Sequence, residues 1–168
     1  MNMKKNFNTI EVINIVSFIN NVMTDEQKNA LPTKVKWYLK KNMDKLVPIT
    51  KNFEEFRDGE VVTLQKDWFT DEKSEEYTEV KKGENDEDIN VPMRKIKAEY
   101  MDEYNNAVNE LNAKLQEILM DNNVVEIATF DMDSFVENMP DDSPVDFDCL
   151  NILSFMDETT GVVKEEAE

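Results

Sequence analysis

The sequence predicts a helix-dominated α+β fold, with three longer helices and a C-terminal helix around one small β-sheet. Three observations lead there. Only three Gly and five Pro occur in 168 residues, too few for a sandwich built on tight turns. Apolar residues recur every three or four positions over long stretches, the period of a helix with one buried face. One segment, residues 124–130 (Val-Val-Glu-Ile-Ala-Thr-Phe), is instead rich in the β-branched side chains that fit a pleated surface.

Taken in order, the first helix is capped by Asn8 or Thr9 and runs to about Met23. Ile10, Ile13 and Val16 make one line of its apolar face, with Val12, Ile15, Ile19 and Val22 beside it. A polar link over 24–32 carries a turn of helix at 25–30. Leu31-Pro32-Thr33 opens the second long helix, because Pro is tolerated in a first turn whose N–H groups lack intrahelical partners. Val35, Leu39, Met43 and Leu46 recur along it, Pro48 interrupts, and Ile49, Phe53 and Phe56 resume. An interior Pro removes a backbone hydrogen bond, so the expectation is a kinked helix, or two in succession, ending near Phe69.

Residues 70–91 are the least core-like stretch, a polar excursion read as a small hairpin or a mobile loop. Tyr77-Thr78-Glu79-Val80-Lys81 alternates as a half-buried strand does, and an acidic turn follows at 83–88. The third long helix is placed at 92–120 on the spacing of Met93, Ile96, Tyr100, Tyr104, Leu111, Leu115 and Ile118, stopped by Asp121-Asn122-Asn123. After the 124–130 strand comes a loop with a helical turn over 131–139. Ser143-Pro144-Val145-Asp146 then reads as a helix start, with a hydroxyl cap, Pro in the first turn and an acid at the positive end of the dipole. One domain over 1–158 is expected, its core including Val35, Leu39, Leu46, Phe53, Ile96, Tyr100, Tyr104, Leu111, Leu115 and Ile152. A flexible acidic tail is expected over 159–168.

Charge is distributed unevenly. Residues 1–66 hold eleven Lys/Arg against eight Asp/Glu, whereas 121–168 hold fourteen acids and one base, Lys164. An acidic half of this kind marks an interaction surface or a solvating segment, and it repels nucleic-acid phosphate, whose binding needs cations. The absence of His removes Ser/His/Asp and Cys/His catalysis and the commonest neutral zinc ligand. A single cysteine, Cys149, allows no intrachain disulfide and fits a reducing compartment, as a small buried side chain. Three scattered glycines form neither phosphate-cradling motif. Lys4 and Lys5 resemble a secretory n-region, yet the following run is amphipathic and no small-residue cleavage site succeeds it. No run approaches the ~18 apolar residues of a membrane span. A soluble cytoplasmic protein is expected.

Other constellations have plain readings. Asp131-Met132-Asp133 and Asp141-Asp142 offer oxygen ligands, but the spacing of a calcium loop is missing and a solvated acidic loop accounts for them. Trp37-Tyr38 and Trp68-Phe69 read as helix-packing aromatics. Lys34, Lys36, Lys40, Lys41 and Lys45 spread over more than one helix face, and an electrostatic clasp between them and the acidic C-terminal part is open. No catalytic, cofactor-binding or metal-ligating residue is assigned, and no cofactor is expected. Partner-binding residues are placed at Asp141, Asp142, Asp146 and Asp148, as a charged rim, with Phe147 and Phe135 as apolar anchors.

The pattern Leu31-Pro32-x-Lys34 … Leu39-x-Lys41-Asn42-x-x-x-Leu46 … Phe53-Glu54-Glu55-x-Arg57, followed by the strand at 124–127 and Leu153-Ser154-Phe155-Met156-Asp157-Glu158, resembles a group of small accessory proteins encoded by bacteriophages and prophages. The function of that group is mostly uncharacterised. Pro48 and the acidic turn depart from its pattern. The resemblance implies a phage origin and an accessory or assembly protein; the favoured function is non-enzymatic binding of another protein in virion or tail assembly, and the acidic C-terminal part points to a partner with a basic surface. It transfers no catalytic residue. The alternative is an acidic DNA mimic that inhibits a host nucleic-acid-binding defence system, and a metal-dependent hydrolase is a distant third. Neither direct nucleic-acid binding nor a membrane is expected, and self-association is left open.

Overall fold

The computed structural model describes residues 1–161, so residues 162–168 of the expected tail lie outside the described residues. The fold is helix-dominated α+β. The elements are β1 (Asn2–Asn8), α1 (Thr9–Ser17), α2 (Asp25–Ala30), α3 (Thr33–Trp68), β2 (Ser74–Lys82), β3 (Asp88–Ile96), α4 (Met101–Leu119), β4 (Asn122–Ala128), α5 (Met132–Glu137) and α6 (Phe147–Leu153). They divide into two compact units, where the sequence suggests one domain. The first comprises residues 1–54 and those from 118 on; the second comprises 55–117.

The first unit is built on a sheet that the sequence conceals. β1 pairs antiparallel with β4, from Asn2 opposite Ala128 to Asn8 opposite Asn122. Bonds from Thr129 N–H to the Met1 carbonyl (2.7 Å) and from Thr9 N–H to the Asp121 carbonyl (3.0 Å) close the ladder at its two ends. On the inward face Phe7, Val125 and Ile127 join Val12, Ile15, Val16 and Ile19 of the first helix, Val35, Leu39 and Leu46 of α3, and Cys149 and Leu153 of α6 in one core. Asn8 caps α1 with a complete capping box: its Oδ1 accepts from Glu11 N–H (3.1 Å) while its own N–H donates to Glu11 Oε2 (2.7 Å). Past Ser17 the helix widens into a π turn, Phe18–Val22, closed by Met23 N–H to the Phe18 carbonyl at 2.9 Å. Thr24 and Gln27 form a second capping box at the start of α2.

β4 has one neighbour in the sheet, so its far edge offers unpaired backbone groups. Helix α3 covers that edge with side chains. The hydrogen-bonded pairing of Thr129 with Met1 makes Ala128 and Glu126 face outward. Fully buried Asn42 donates from Nδ2 to the Ala128 carbonyl (2.9 Å) and accepts on Oδ1 from Ala128 N–H (2.8 Å). One turn further along α3, Lys45 Nζ donates to the Glu126 carbonyl. An amide is the side chain that can both donate and accept in this way, so Asn42 stands in for a third strand.

In the second unit β2 and β3 form an antiparallel hairpin, Ser74 opposite Ile96 through Lys82 opposite Asp88. Its turn is closed by Gly83 N–H to the Glu87 carbonyl (2.9 Å) and Asp86 N–H to the Gly83 carbonyl (3.1 Å), with Asp86 left-handed at φ 61°. Asp tolerates that conformation better than most residues. At the base, Arg94 reaches Ser74 Oγ (3.0 Å), Glu76 (3.2 Å) and Asp71 (2.8 Å). Beside it, the Trp68 and Phe69 rings meet Tyr104 edge-on at 5.7 and 6.0 Å, and the Lys73 ammonium sits 4.4 Å from the Trp68 ring.

Several expectations need correction. There are two small sheets, not one. Pro92, Met93 and Ile96 belong to β3 rather than to a helix, and α4 begins only at Met101. The misleading spacing of Met93, Ile96 and Tyr100 overlies a period of two, Ile89, Val91 and Met93, on one face of the strand. Of the two arrangements expected around Pro48, the single long helix is found, ending at Trp68. The C-terminal helix starts at Phe147, capped by Asp146, rather than at Ser143. Val35, Leu39, Leu46, Phe53, Ile96 and Leu115 are buried, whereas Tyr100, Tyr104, Leu111 and Ile152 are half-buried. Trp37, read as a packing residue, is 57% exposed.

Asn42→Ala leaves the Ala128 N–H and carbonyl buried without partners, at about 1–3 kcal/mol for each group. It should therefore lower the chemical-denaturation stability by more than any exposed substitution on α3. Asn42→Asp keeps an acceptor but sets a buried carboxylate against the Ala128 carbonyl, which raises its folded pKa. Its stability deficit should widen as pH rises through that pKa and narrow below the unfolded value, where a protonated carboxyl again donates. A deficit independent of pH contradicts the two-way bond. Thr50 offers the converse case: its buried Oγ1 has no partner among the described residues. Thr50→Val removes an unsatisfied hydroxyl at constant shape, and its melting temperature should equal or exceed that of the parent.

Candidate protein-binding site

The acidic residues singled out from the sequence fall in the first unit, on the segment 141–148 that leads into α6. Asp141, Asp142 and Asp148 are exposed, and none makes an ion pair among the described residues. Phe147, the first residue of α6, is 79% exposed, the most exposed large apolar side chain described. It stands between Asp146 and Asp148 in the chain, so an apolar ring projects from an acidic surround. Phe135 lies elsewhere: on α5, half-buried, with its ring edge-on to Phe130 at 5.6 Å. The two phenylalanines are thus unlike, one packed and one free.

Asp146 differs from its acidic neighbours because it is engaged. Its Oδ1 accepts from Cys149 N–H (2.9 Å), capping α6, and its Oδ2 accepts from Gln27 Nε2 of α2 (3.2 Å). The backbone bond from Cys149 holds its carboxyl below the usual carboxylate range, with help from Gln27. Gln27 thereby serves two helices, capping α2 through its Oε1 and holding Asp146 through its amide nitrogen. Burial, with Asp146 nearby, pushes the Cys149 thiol up to about 11, so it remains a protonated, packed side chain at neutral pH.

A second feature, which sequence reasoning passed over, lies at the opening of the same unit. Lys5 is fully buried on β1, opposite Val125. Its Nζ donates to the Asp157 carbonyl and to Thr160 Oγ1 (3.4 Å). Burial lowers its pKa, and the negative charge of Asp157 opposes that shift only in part. An open cavity of about 340 Å³ beside it is bordered by Asn6, Asn14, Asn151 and Phe155. A Lys at an inward position of a strand gave no apolar alternation to detect.

Three basic residues of α3 are occupied locally: Lys36 with the Asn29 carbonyl (3.1 Å), Lys40 with Asp44 (3.4 Å), and Lys45 with Glu126. Lys34 lies 5.6 Å from the Tyr38 ring. Among the described residues, the one acid of the C-terminal part that these lysines pair with is Glu126, so the clasp considered from the sequence is reduced to that one contact. Among the described residues, no group of three or more His, Cys, Asp or Glu is placed to hold a metal ion, and no helix is long and apolar enough to cross a membrane. Comparisons with protein-family models, with curated proteins and with solved structures yield no match.

The cap at Asp146 can be separated from the rim around it. Asp146→Asn retains a capping acceptor, whereas Asp146→Ala removes it, so the Ala variant should melt at the lower temperature at neutral pH. Because the folded pKa of Asp146 is depressed, the contribution of its charge is present above the unfolded value and is lost as pH falls through the folded one. The difference in melting temperature between the parent and Asp146→Ala should therefore shrink on moving from about pH 7 to about pH 2. A gap of constant size at both pH values rules out the charged cap.

Proposed function

We propose that this chain is a non-enzymatic phage-encoded protein that binds another protein, with the segment 141–148 as its contact. Phe147 is the anchor, and Asp141, Asp142 and Asp148 form the rim. The observation that carries the proposal is the exposure of Phe147, 79%, among carboxylates without ion-pair partners among the described residues. A bare aromatic side chain supplies the desolvated contact on which binding energy concentrates, and the acids steer an oppositely charged partner toward it. The partner is then a protein with a basic rim around an apolar groove. Virion or tail assembly is the setting that the resemblance to phage accessory proteins suggests. A second reading, imitation of DNA toward a host defence protein, draws on the same carboxylates and differs in needing no aromatic anchor.

The test is kinetic, with whichever virion or host protein co-purifies during infection. Phe147→Ala should accelerate dissociation by roughly thirtyfold, the equivalent of about 2 kcal/mol, and leave the melting temperature of the free protein nearly unchanged. Asp141→Asn, Asp142→Asn and Asp148→Asn together should slow association and flatten its dependence on salt while changing dissociation less. If Phe147→Ala dissociates at the parental rate while duplex DNA displaces the partner, the DNA-mimic reading takes precedence. If neither set of changes alters binding, the segment is not the contact.

A further inference from the structure

The hairpin of the second unit has one open edge, and that edge is complementary in charge to itself. Lys97 N–H donates to the Lys73 carbonyl (2.9 Å) at the base and Gly83 N–H to the Glu87 carbonyl (2.9 Å) at the turn. With the register between them, these bonds make 75–95, 77–93, 79–91 and 81–89 the hydrogen-bonded pairs. The backbone groups of Glu76, Thr78, Val80 and Lys82 on β2, and of Asn90, Pro92 and Arg94 on β3, therefore point away from the hairpin. On β3 the outward position at mid-strand is Pro92, which has no N–H, so that edge cannot continue a ladder. β2 contains neither Pro nor Gly and presents an uninterrupted row of donors and acceptors.

The side chains select the occupant. β2 reads Ser-Glu-Glu-Tyr-Thr-Glu-Val-Lys-Lys, acidic at its start and basic at its end. Two copies placed antiparallel about Thr78 set Glu75 opposite Lys81 of the other copy, twice, and Glu76 diagonal to Lys82. A parallel arrangement would set like charge on like. The same register sets Tyr77 (37% exposed) of each copy opposite Glu79 of the other, so that the two Tyr77 side chains lie diagonal across the axis, on the face that also carries Val91 and Met93 of β3. A two-stranded hairpin alone is marginal in water, and doubling it relieves that.

We propose that β2 is a homotypic docking edge: two copies of this chain join β2 to β2 antiparallel about Thr78, as a four-stranded sheet with isologous two-fold symmetry. One edge strand buries little surface, so the contact belongs to the weak class, below about 1,200 Å². It involves residues distinct from those of the 141–148 segment and does not rest on the function proposed there.

The experiment is sedimentation of the full chain over a range of concentrations. The parent should show a concentration-dependent monomer–dimer equilibrium. Thr78→Pro, which removes the outward N–H at the two-fold axis, should weaken it at least about tenfold, whereas Asn90→Pro on the other edge should leave it within about twofold. Glu75→Lys and Lys81→Glu should each associate poorly alone, because each sets like charges opposite. Mixed in equal amounts they should form a heterodimer stronger than either homodimer, since the pairs that face each other across the two-fold axis are again opposite in sign, although Glu75→Lys also loses the ion pair with Lys95 (3.1 Å) of its own hairpin. This mixture also separates a lost contact from a damaged hairpin. A parental chain that stays monomeric up to about 1 mM overturns the proposal. So does a Thr78→Pro variant that dimerises normally, or a mixture that associates no better than its components.

Discussion

The outer edge of β4 is the constraint around which the first unit is arranged. A two-stranded sheet leaves two rows of unpaired peptide groups, and inside a core each unpaired group is costly. β1 satisfies one row of β4, and the Asn42 amide with the Lys45 ammonium satisfies the other. This fixes the rotation of α3 about its own axis, because only one face can carry Asn42 toward Ala128. The same rotation directs Val35, Leu39 and Leu46 inward and leaves Trp37 and Lys40 outside. A single polar contact thus sets the apolar packing around it, as buried polar groups do when fully satisfied.

Lys5 shows the same economy at a higher electrostatic cost. Its stem fills space in the core while its ammonium holds the Asp157 carbonyl, near the point where Phe130 N–H donates to the Met156 carbonyl (3.0 Å) and Glu158 N–H to the Phe130 carbonyl (3.2 Å). The C-terminal segment is therefore bound to the sheet by backbone bonds and one lysine, with Phe155 set edge-on to Phe7 at 6.5 Å. That attachment carries α6 and so presents Phe147 and its acids from a packed base. Asp146 and Gln27 fasten the other end of the segment to α2.

Much of this was legible in the chain. Asn8 and Glu11, three residues apart, announce the start of α1, and the run of β-branched residues announces β4. Pro48 was legible as an interruption, but the choice between one long helix and two in succession was not, since context decides whether a helix continues past a proline. β1 was hidden because its inward positions read Met3, Lys5 and Phe7, and a buried Lys breaks the alternation that marks a strand. The role of Asn42 could not be read from its neighbours in the chain, because that role lies at a strand edge 86 residues away in sequence. Of the candidate site, the exposure of Asp141, Asp142, Asp148 and Phe147 was legible from composition and spacing. The different fates of Phe135 and Asp146 were not, because they depend on Phe130 and Gln27, partners that spacing along the chain does not identify.

The division of the chain has a consequence for the order of assembly during synthesis. Residues 55–117 are contiguous, and their hairpin and helices meet over short separations, the kind of contact that forms early. The other unit is discontinuous. β1 leaves the ribosome before β4, which follows more than a hundred residues later, and must wait for it before its backbone is paired. Over that interval the apolar faces of α1 and α3 have no sheet to cover, and the nascent chain is exposed to the holdases and proteases that recognise such surfaces. Lys4 and Lys5, with Asn2, Asn6 and Asn8 around them, keep this waiting strand polar and slow to aggregate. The buried lysine therefore serves the protein before it is buried, as a gatekeeper of the unfinished chain.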